Sequence, residues 1–233
     1  MIVMQIPEHV GVLLDGNRRW ARARGLQPWE GHKAGRDTAE KFLDWSLELG
    51  VKEVSMWVLS TENLSRSPRE LKEIFNLTIG FLDIYEKKES LLKKYDVKIR
   101  FIGDLNRLPA KLRKIIGKVM EKTAHHQKRI LNIMIAYGSH YEFTNVVKKL
   151  VEKAMKVGKV EVNPKEIEKN LLVPNPVNLL IRTGGHQRLS GFMMWQTAYA
   201  ELYFTDTLWP DFTKKEYIKA IKWYSSQQKH FGI

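Results

Sequence analysis

Six short apolar, β-branched runs recur along the chain at Val10–Leu14, Val54–Leu59, Val97–Ile102, Ile130–Ala136, Val177–Ile181 and Leu202–Phe204, and helix-length stretches separate them. Near-continuous apolar runs mark strands buried on both faces, and parallel strands need crossovers of a dozen residues or more. Helical periodicity covers about Gly31–Leu49, Pro68–Lys94, Pro109–His126, Tyr141–Val157, Pro164–Asn170 and Thr213–Lys229, with Pro68, Pro109 and Pro164 at favourable first-turn positions. The alternation predicts an α/β fold with a mainly parallel central sheet of about six strands flanked by helices. With no fixed-period repeat, low-complexity tract or linker, residues 1–233 read as a single domain.

Composition excludes several classes. The longest uncharged run of interest, 189–200, has 12 residues, short of the ~18 that a membrane span needs. The first residues lack the basic start and cleavage site of a secretory signal, and the absence of cysteine excludes disulfides, thiolate zinc, iron–sulfur clusters and thiol nucleophiles. A cytoplasmic protein is expected. Against 26 acidic residues stand 39 Lys and Arg, a net charge of +13, which favours an anionic partner. The lysines concentrate in helical segments and read as solvated faces. Arg18, Arg19, Arg66, Arg182 and Arg188 instead sit beside Gly, Asn and Ser at the ends of apolar runs, where a planar fork of donors suits an oxyanion.

Ligands collect outside the carboxyl ends of strands in such sheets, and three polar loops fall there. The first is Asp15-Gly16-Asn17-Arg18-Arg19-Trp20. Turn chemistry accounts for Asp15, Gly16 and Asn17 but not for two arginines and a tryptophan directly after a strand. A carboxylate among arginines either pairs with them or binds a metal that carries a phosphate. The second loop holds Ser60, Thr61, Glu62, Asn63 and Arg66, as headgroup donors or as a cap for the helix at Pro68. The third, Arg182-Thr-Gly-Gly followed by Arg188, Leu189 and Ser190, reads as a second oxyanion cradle, with Glu201 a candidate metal ligand. Gly31-His32-Lys33-Ala34-Gly35 reads either as a helix start that attracts phosphate or as a plain turn.

The stripe Leu71, Ile74, Phe75, Thr78, Phe81, Leu82 and Tyr85 reads by default as core packing, and a hydrocarbon tunnel would use the same residues, which periodicity cannot tell apart. His125, His126 and His140 have no partners at zinc spacing and read as surface or capping residues. The chain has no GxxxxGK[ST] loop, no GxGxxG after a strand, no GxSxG elbow and no adjoining aspartates. Anions must therefore be met mainly by arginines and backbone amides.

From HVGVLLDGNRRWA through GHKAG, STEN, NIMIAYGS and LLIRTGG to AELYFTDTLWPDF, the chain resembles the cis-prenyltransferases, which include undecaprenyl diphosphate synthases. The resemblance implies condensation of isopentenyl diphosphate with an allylic diphosphate, with Mg²⁺, on a parallel-sheet fold with an apolar tunnel that is usually a homodimer. It implies that Asp15 binds Mg²⁺ and assists departure of the allylic diphosphate. Gly16, Asn17, Arg18, Arg19, Trp20 and His32 surround that substrate, and Asn63 takes part in proton removal within the Ser60, Thr61, Glu62 and Arg66 loop. Arg182, Arg188, Leu189 and Ser190 cradle isopentenyl diphosphate, and Glu201 is a metal ligand reached from the partner side of the dimer. Surface contact with a membrane would serve product release.

The sequence departs from the family pattern at five places. Pro28 stands in place of a diphosphate-binding arginine, Leu64 in place of an aromatic and Asn178 in place of an aspartate, while His186 and Gln187 replace an acid and a histidine after RTGG. These departures raise the alternative of a divergent prenyltransferase with an acceptor other than isopentenyl diphosphate. Outside the class stand a non-catalytic subunit, against which Asp15, Asn63 and Arg188 argue, and a basic nucleic-acid binder, against which the strand-end arginines argue. Val58, where the long-chain bacterial members carry alanine, either crowds the tunnel wall, which predicts products of short to medium length, or simply packs a buried strand.

Overall fold

The computed structural model describes residues 4–87 and 93–227. Its one sheet holds β1 (His9–Leu13), β2 (Glu53–Ser60), β3 (Val97–Ile102), β4 (Arg129–Tyr137), β5 (Leu179–Arg182) and β6 (Glu201–Phe204), in the order β3-β4-β2-β1-β5-β6. Every neighbouring pair is parallel, so each expected strand is found, although the fifth starts at Leu179 rather than Val177. The helices are α1 (Asn17–Arg22), α2 (Pro28–Leu49), α3 (Pro68–Lys87), α4 (Ala110–Lys122), α5 (Ser139–Val157), α6 (Pro164–Asn170) and α7 (Lys214–Ser226). Residues 88–92 of the expected Pro68–Lys94 helix, the Tyr85 side chain and Lys229 lie outside the described residues.

Two boundaries differ instructively from expectation. α1 has too few residues for an apolar period, so its sequence reads only as a turn. α2 starts three residues before Gly31, because Pro28 takes the first-turn position, where its missing N–H costs nothing. His126 is also not a surface residue: it is buried, its Nδ1 2.6 Å from Asp96 Oδ1.

The core on one face joins α2 to the C-terminal segment through Phe42, which meets Trp209 edge-on at 5.7 Å and Tyr217 at 4.4 Å. At the amino end of the sheet a buried polar cluster ties β1, β2 and β4 together. His9 Nε2 accepts from Ser55 Oγ at 2.8 Å, and Asn132 donates to Glu53 Oε1 at 2.6 Å and to Ser55 Oγ at 2.9 Å. Asn178, one of the departures, accepts the His9 backbone N–H there at 2.8 Å.

The β2–β4 ladder is irregular near its carboxyl end. Trp57 pairs with Met134 and Leu59 with Ile135, so Val58 is an extra residue on β2; Ser60 then pairs with Tyr137, so Ala136 is extra on β4. Ala136 has φ of 52°, in keeping with a bulge.

Candidate active site

The three arginine-bearing loops leave the carboxyl ends of β1, β2 and β5. β1 lies where the winding reverses, with β2 on one side and β5 on the other, the place where open parallel sheets form a ligand crevice.

Asp15 leaves β1 with its backbone N–H bonded to the Leu13 carbonyl at 2.9 Å. One carboxylate oxygen accepts from Arg19 at 3.3 Å and the other from Arg182 at 3.0 Å. Arg182 is buried and also donates to Ser190 Oγ at 2.8 Å and to the Arg188 carbonyl, so here it braces the first and third loops. Gly16 has φ of +116°, and a Cβ there would stand 2.9 Å from Leu208 Cα. Only glycine fits that turn.

Asn17, which opens α1, donates to the Leu14 carbonyl at 3.0 Å and keeps its Oδ1 buried without a hydrogen-bond partner. α2 crosses so closely that a Cβ on Gly31 would lie 2.0 Å from the Asn17 carbonyl oxygen, and one on Gly35 2.1 Å from Asn17 Oδ1. The glycines of GHKAG therefore make room for Asn17. They do not open a helix: His32 lies in the second turn of α2, where backbone N–H groups bond within the helix, so the expected phosphate-binding helix start is absent.

His32 contributes its side chain instead. Its Nε2 lies 3.2 Å from Glu70 Oε1, Arg66 donates to the same oxygen at 3.2 Å, and Arg18 Nε stands 3.8 Å away. Burial pulls the imidazole below its ordinary pKa; the Glu70 bond opposes this, while Arg66 and Arg18 add to the lowering. Burial also lowers the Arg66 guanidinium, although a guanidinium stays charged. Glu70, buried under three basic side chains, escapes the sequence reading. Its signal was its place four residues after Arg66 in the first turn of α3, where an acid is favoured.

In the second loop Ser60 Oγ accepts the Asn63 N–H at 3.1 Å, and the short 3₁₀ helix Glu62–Ser65 follows. Ser67, not Ser60, Thr61 or Asn63, caps α3, accepting the Glu70 N–H at 3.3 Å. Burial works to raise the Glu62 carboxyl, but hydrogen bonds from its own backbone, Ser60 and Thr61, and the nearby His140, hold it below the ordinary value.

These groups border a cavity of about 470 Å³ with two unlike ends. Its polar mouth is formed by Asp15, Asn17, His32, Ser60, Glu62, Asn63, Arg66, Arg182 and Ser190, and its apolar body includes Met56, Val58, Leu59, Ile74, Leu77 and Phe81. A polar pocket of about 340 Å³ adjoins it, sharing Asp15, Asn17, His32 and Arg66 and adding Gly16, Arg18, Arg19 and Arg22. Arg22 is a second residue the sequence reading overlooks.

Trp20, Thr61, Arg188, Leu189 and Glu201 line neither space. The Trp20 indole donates to Asp211 at 2.7 Å. Glu201 pairs with Leu179 at the start of β5, whereas Arg182 pairs with Phe204, so a strand's length separates Glu201 from the Asp15 loop of its own chain. Among the described residues no three His, Asp or Glu side chains converge as a metal cluster. Pro28 opens α2, and the ring of Trp29 beside it is covered by Arg69 at 4.4 Å.

Residues 13–232 match the model of the family described as putative undecaprenyl diphosphate synthase. A tritrans,polycis-undecaprenyl-diphosphate synthase (geranylgeranyl-diphosphate specific) of Methanopyrus kandleri is 40% identical over 236 residues, covering 98% of this chain and 85% of that protein. An isoprenyl transferase of Thermus thermophilus is 37% identical over 239 residues, covering 97% and 89%. The crystal structure of lavandulyl diphosphate synthase from Lavandula x intermedia, in complex with dimethylallyl diphosphate, matches with a TM-score of 0.91 at 29% identity, covering 98% of this chain and 99% of that one. A six-stranded parallel sheet, a switch-point crevice rich in arginine and these similarities lead to one assignment: the chain belongs to the undecaprenyl diphosphate synthase family of cis-prenyltransferases.

Proposed function

We propose that this chain, acting as one catalytic domain, condenses isopentenyl diphosphate with an allylic diphosphate to give a cis-polyprenyl diphosphate. The observation that carries this is the two-ended cavity, because an amphiphile with a diphosphate head and a hydrocarbon tail matches its basic mouth and apolar body. In the reaction the allylic C–O bond breaks, the allylic carbon bonds to the terminal alkene carbon of isopentenyl diphosphate, and a proton leaves that unit. Arg18, Arg19, Arg22 and Arg66 line the pocket in which developing charge on the departing diphosphate oxygens is met by donors already in place. Glu70 orients His32 and Arg66 for that role. Asn63 lines the mouth, where it assists proton loss.

The donor set fits Mg²⁺, which is commonly held by one or two carboxylates together with substrate phosphates. Asp15, its side chain 30% exposed and bordering both the cavity and the adjoining polar pocket, would hold the ion with the diphosphate oxygens. When bound, the ion neutralises charge on the leaving group.

Support for a homodimer comes from β6 at the sheet edge, where Leu202 next to Glu201 and Tyr199 just before it are exposed. A second copy on this edge would cover that apolar surface. The basic exposed side of α4, with Lys111, Arg113, Lys114 and Lys118, suits an anionic membrane surface, and no described helix is long and apolar enough to cross one.

The deciding assay supplies labelled isopentenyl diphosphate, Mg²⁺ and a series of allylic primers, with products separated by length. Incorporation into primer-extended products supports the proposal; none with any primer refutes it. A second reading, transfer to a different acceptor, is motivated by His186 and Gln187. Isopentenyl diphosphate offered as sole acceptor discriminates the two.

A further inference from the structure

Among the described residues, one charged side chain borders the cavity apart from His32 and those of the headgroup loops. Arg36 lies one turn beyond His32 on α2. Its Nε and Nη2 donate to Asp37 Oδ1 at 3.1 Å and 2.7 Å, and Nε stands 3.7 Å from Glu40. Its Nη1 reaches α3, where a Cβ built on Gly80 would stand 3.5 Å from it.

Helical geometry fixes what this crossing means. With 3.6 residues per turn, His32, Gly35, Arg36 and Ala39 share the cavity face of α2, and Arg36 is at its edge. Gly80 lies roughly a third of a turn around α3 from the face that presents Ile74, Leu77, Thr78 and Phe81. The guanidinium therefore spans the seam between the two helices. Arg36 borders the cavity while 26% of its side chain stays exposed, so its guanidinium lies between the cavity and solvent at this seam. A Cβ at Gly80 would stand at ordinary contact distance from the guanidinium, so the bare glycine leaves it room against α3.

We propose that Arg36, pinned by Asp37 and Glu40, is the wall that sets how long a hydrocarbon tail the cavity accepts. The inference rests on the prenyl-transfer reading and adds its specificity determinant. A tail longer than the cavity must push the guanidinium off its two acids or strip its water, and both are unfavourable beside hydrocarbon.

The test measures binding of prenyl diphosphates of graded tail length, without isopentenyl diphosphate, by quenching of tryptophan fluorescence, because Trp57 and Trp209 line the cavity. In the unaltered chain affinity should rise with tail length to a limit and then fall. Arg36→Ala should move that limit by at least one isoprene unit and raise affinity for the first over-long tail about tenfold. The Asp37→Asn, Glu40→Gln pair keeps Arg36 but unpins it, so the limit should move the same way by less; if Arg36→Ala fails to fold, this pair decides. An unmoved limit, or no binding at any tail length, overturns the proposal. A separate incorporation assay on the unaltered chain keeps the two readings apart: failure there with a clear tail limit refutes prenyl transfer and leaves the wall standing.

Discussion

Gly35→Ala adds a single methyl at the closest approach in the site. Its Cβ would stand 2.1 Å from Asn17 Oδ1, 3.0 Å from Asn17 Cγ and 3.0 Å from Trp209 Cδ1. Real Cβ contacts below 3.0 Å are essentially unknown, so the Asn17 amide must retreat by about 1 Å. Overpacking of this kind costs about 1–3 kcal/mol. Alanine in place of glycine inside a helix returns about 1 kcal/mol. The net loss is therefore about 0–2 kcal/mol, which in a chain of 233 residues lowers Tm by no more than about 8 °C. Function should suffer more than stability, because a displacement of 1 Å in a positioned group can lower a rate ~10²-fold. Calorimetry beside steady-state kinetics checks both sides. A folded Gly35→Ala protein with kcat/KM within threefold of the parent would show that the placement of Asn17 does not matter. Gly31→Ala should be harsher, since its Cβ meets the Asn17 backbone at 2.0 Å and a backbone cannot rotate away.

Asp15→Ala should keep the fold, because the side chain is partly exposed, while lowering turnover by at least ~10²-fold; near-normal activity at saturating Mg²⁺ refutes its role. Arg188→Ala should raise KM for isopentenyl diphosphate far more than for the allylic primer, and equal effects would mean the two headgroups are misplaced. Val58→Ala should shift products toward longer chains, whereas reduced stability with an unchanged distribution would make Val58 a packing residue only. Burial holds His9 below its ordinary pKa of 6.5, as the neutral ring's contacts with the Pro176 carbonyl at 3.0 Å and Ser55 Oγ at 2.8 Å suit. The unfolded chain then binds the extra proton below about pH 6.5, so this contribution is whole above that pH and declines as pH falls. Denaturation at graded pH should show a shallower acid decline in His9→Gln, and an identical slope would falsify the linkage.

The strands were legible because burial on both faces leaves an apolar run that few other structures need. Asp15, Arg19, Asn63 and Arg66 were legible as strand-end polar residues beside glycine and serine, and His32 through the GHKAG stretch; the structure brings them to one cavity or its neighbouring pocket. Glu70 was hidden, since an acid in the first turn of a helix has an ordinary local explanation; its three basic neighbours come from two other helices and from the loop before its own. The purpose of Gly31 and Gly35 was hidden for a related reason. One-dimensional reading sees a permissive backbone, while their constraint is the body of another helix. Glu201 begins an edge strand, a strand's length from the Asp15 loop of its own chain, and so does not join the other expected site residues.

The paired irregularities in β2 and β4 give the site a kind of gearing. In a regular strand successive side chains alternate faces, yet Met56, Trp57, Val58, Leu59 and Ser60 all border the same cavity. The extra residue at Val58 breaks the alternation, and the extra residue at Ala136 cancels the offset, so that Ser60 meets Tyr137 in step. Hydrocarbon wall and headgroup loop are thus indexed by one count of residues. Deleting Val58 alone would carry Ser60, and the Glu62–Asn63 turn behind it, out of phase with the sheet, while deleting Ala136 as well would restore the count.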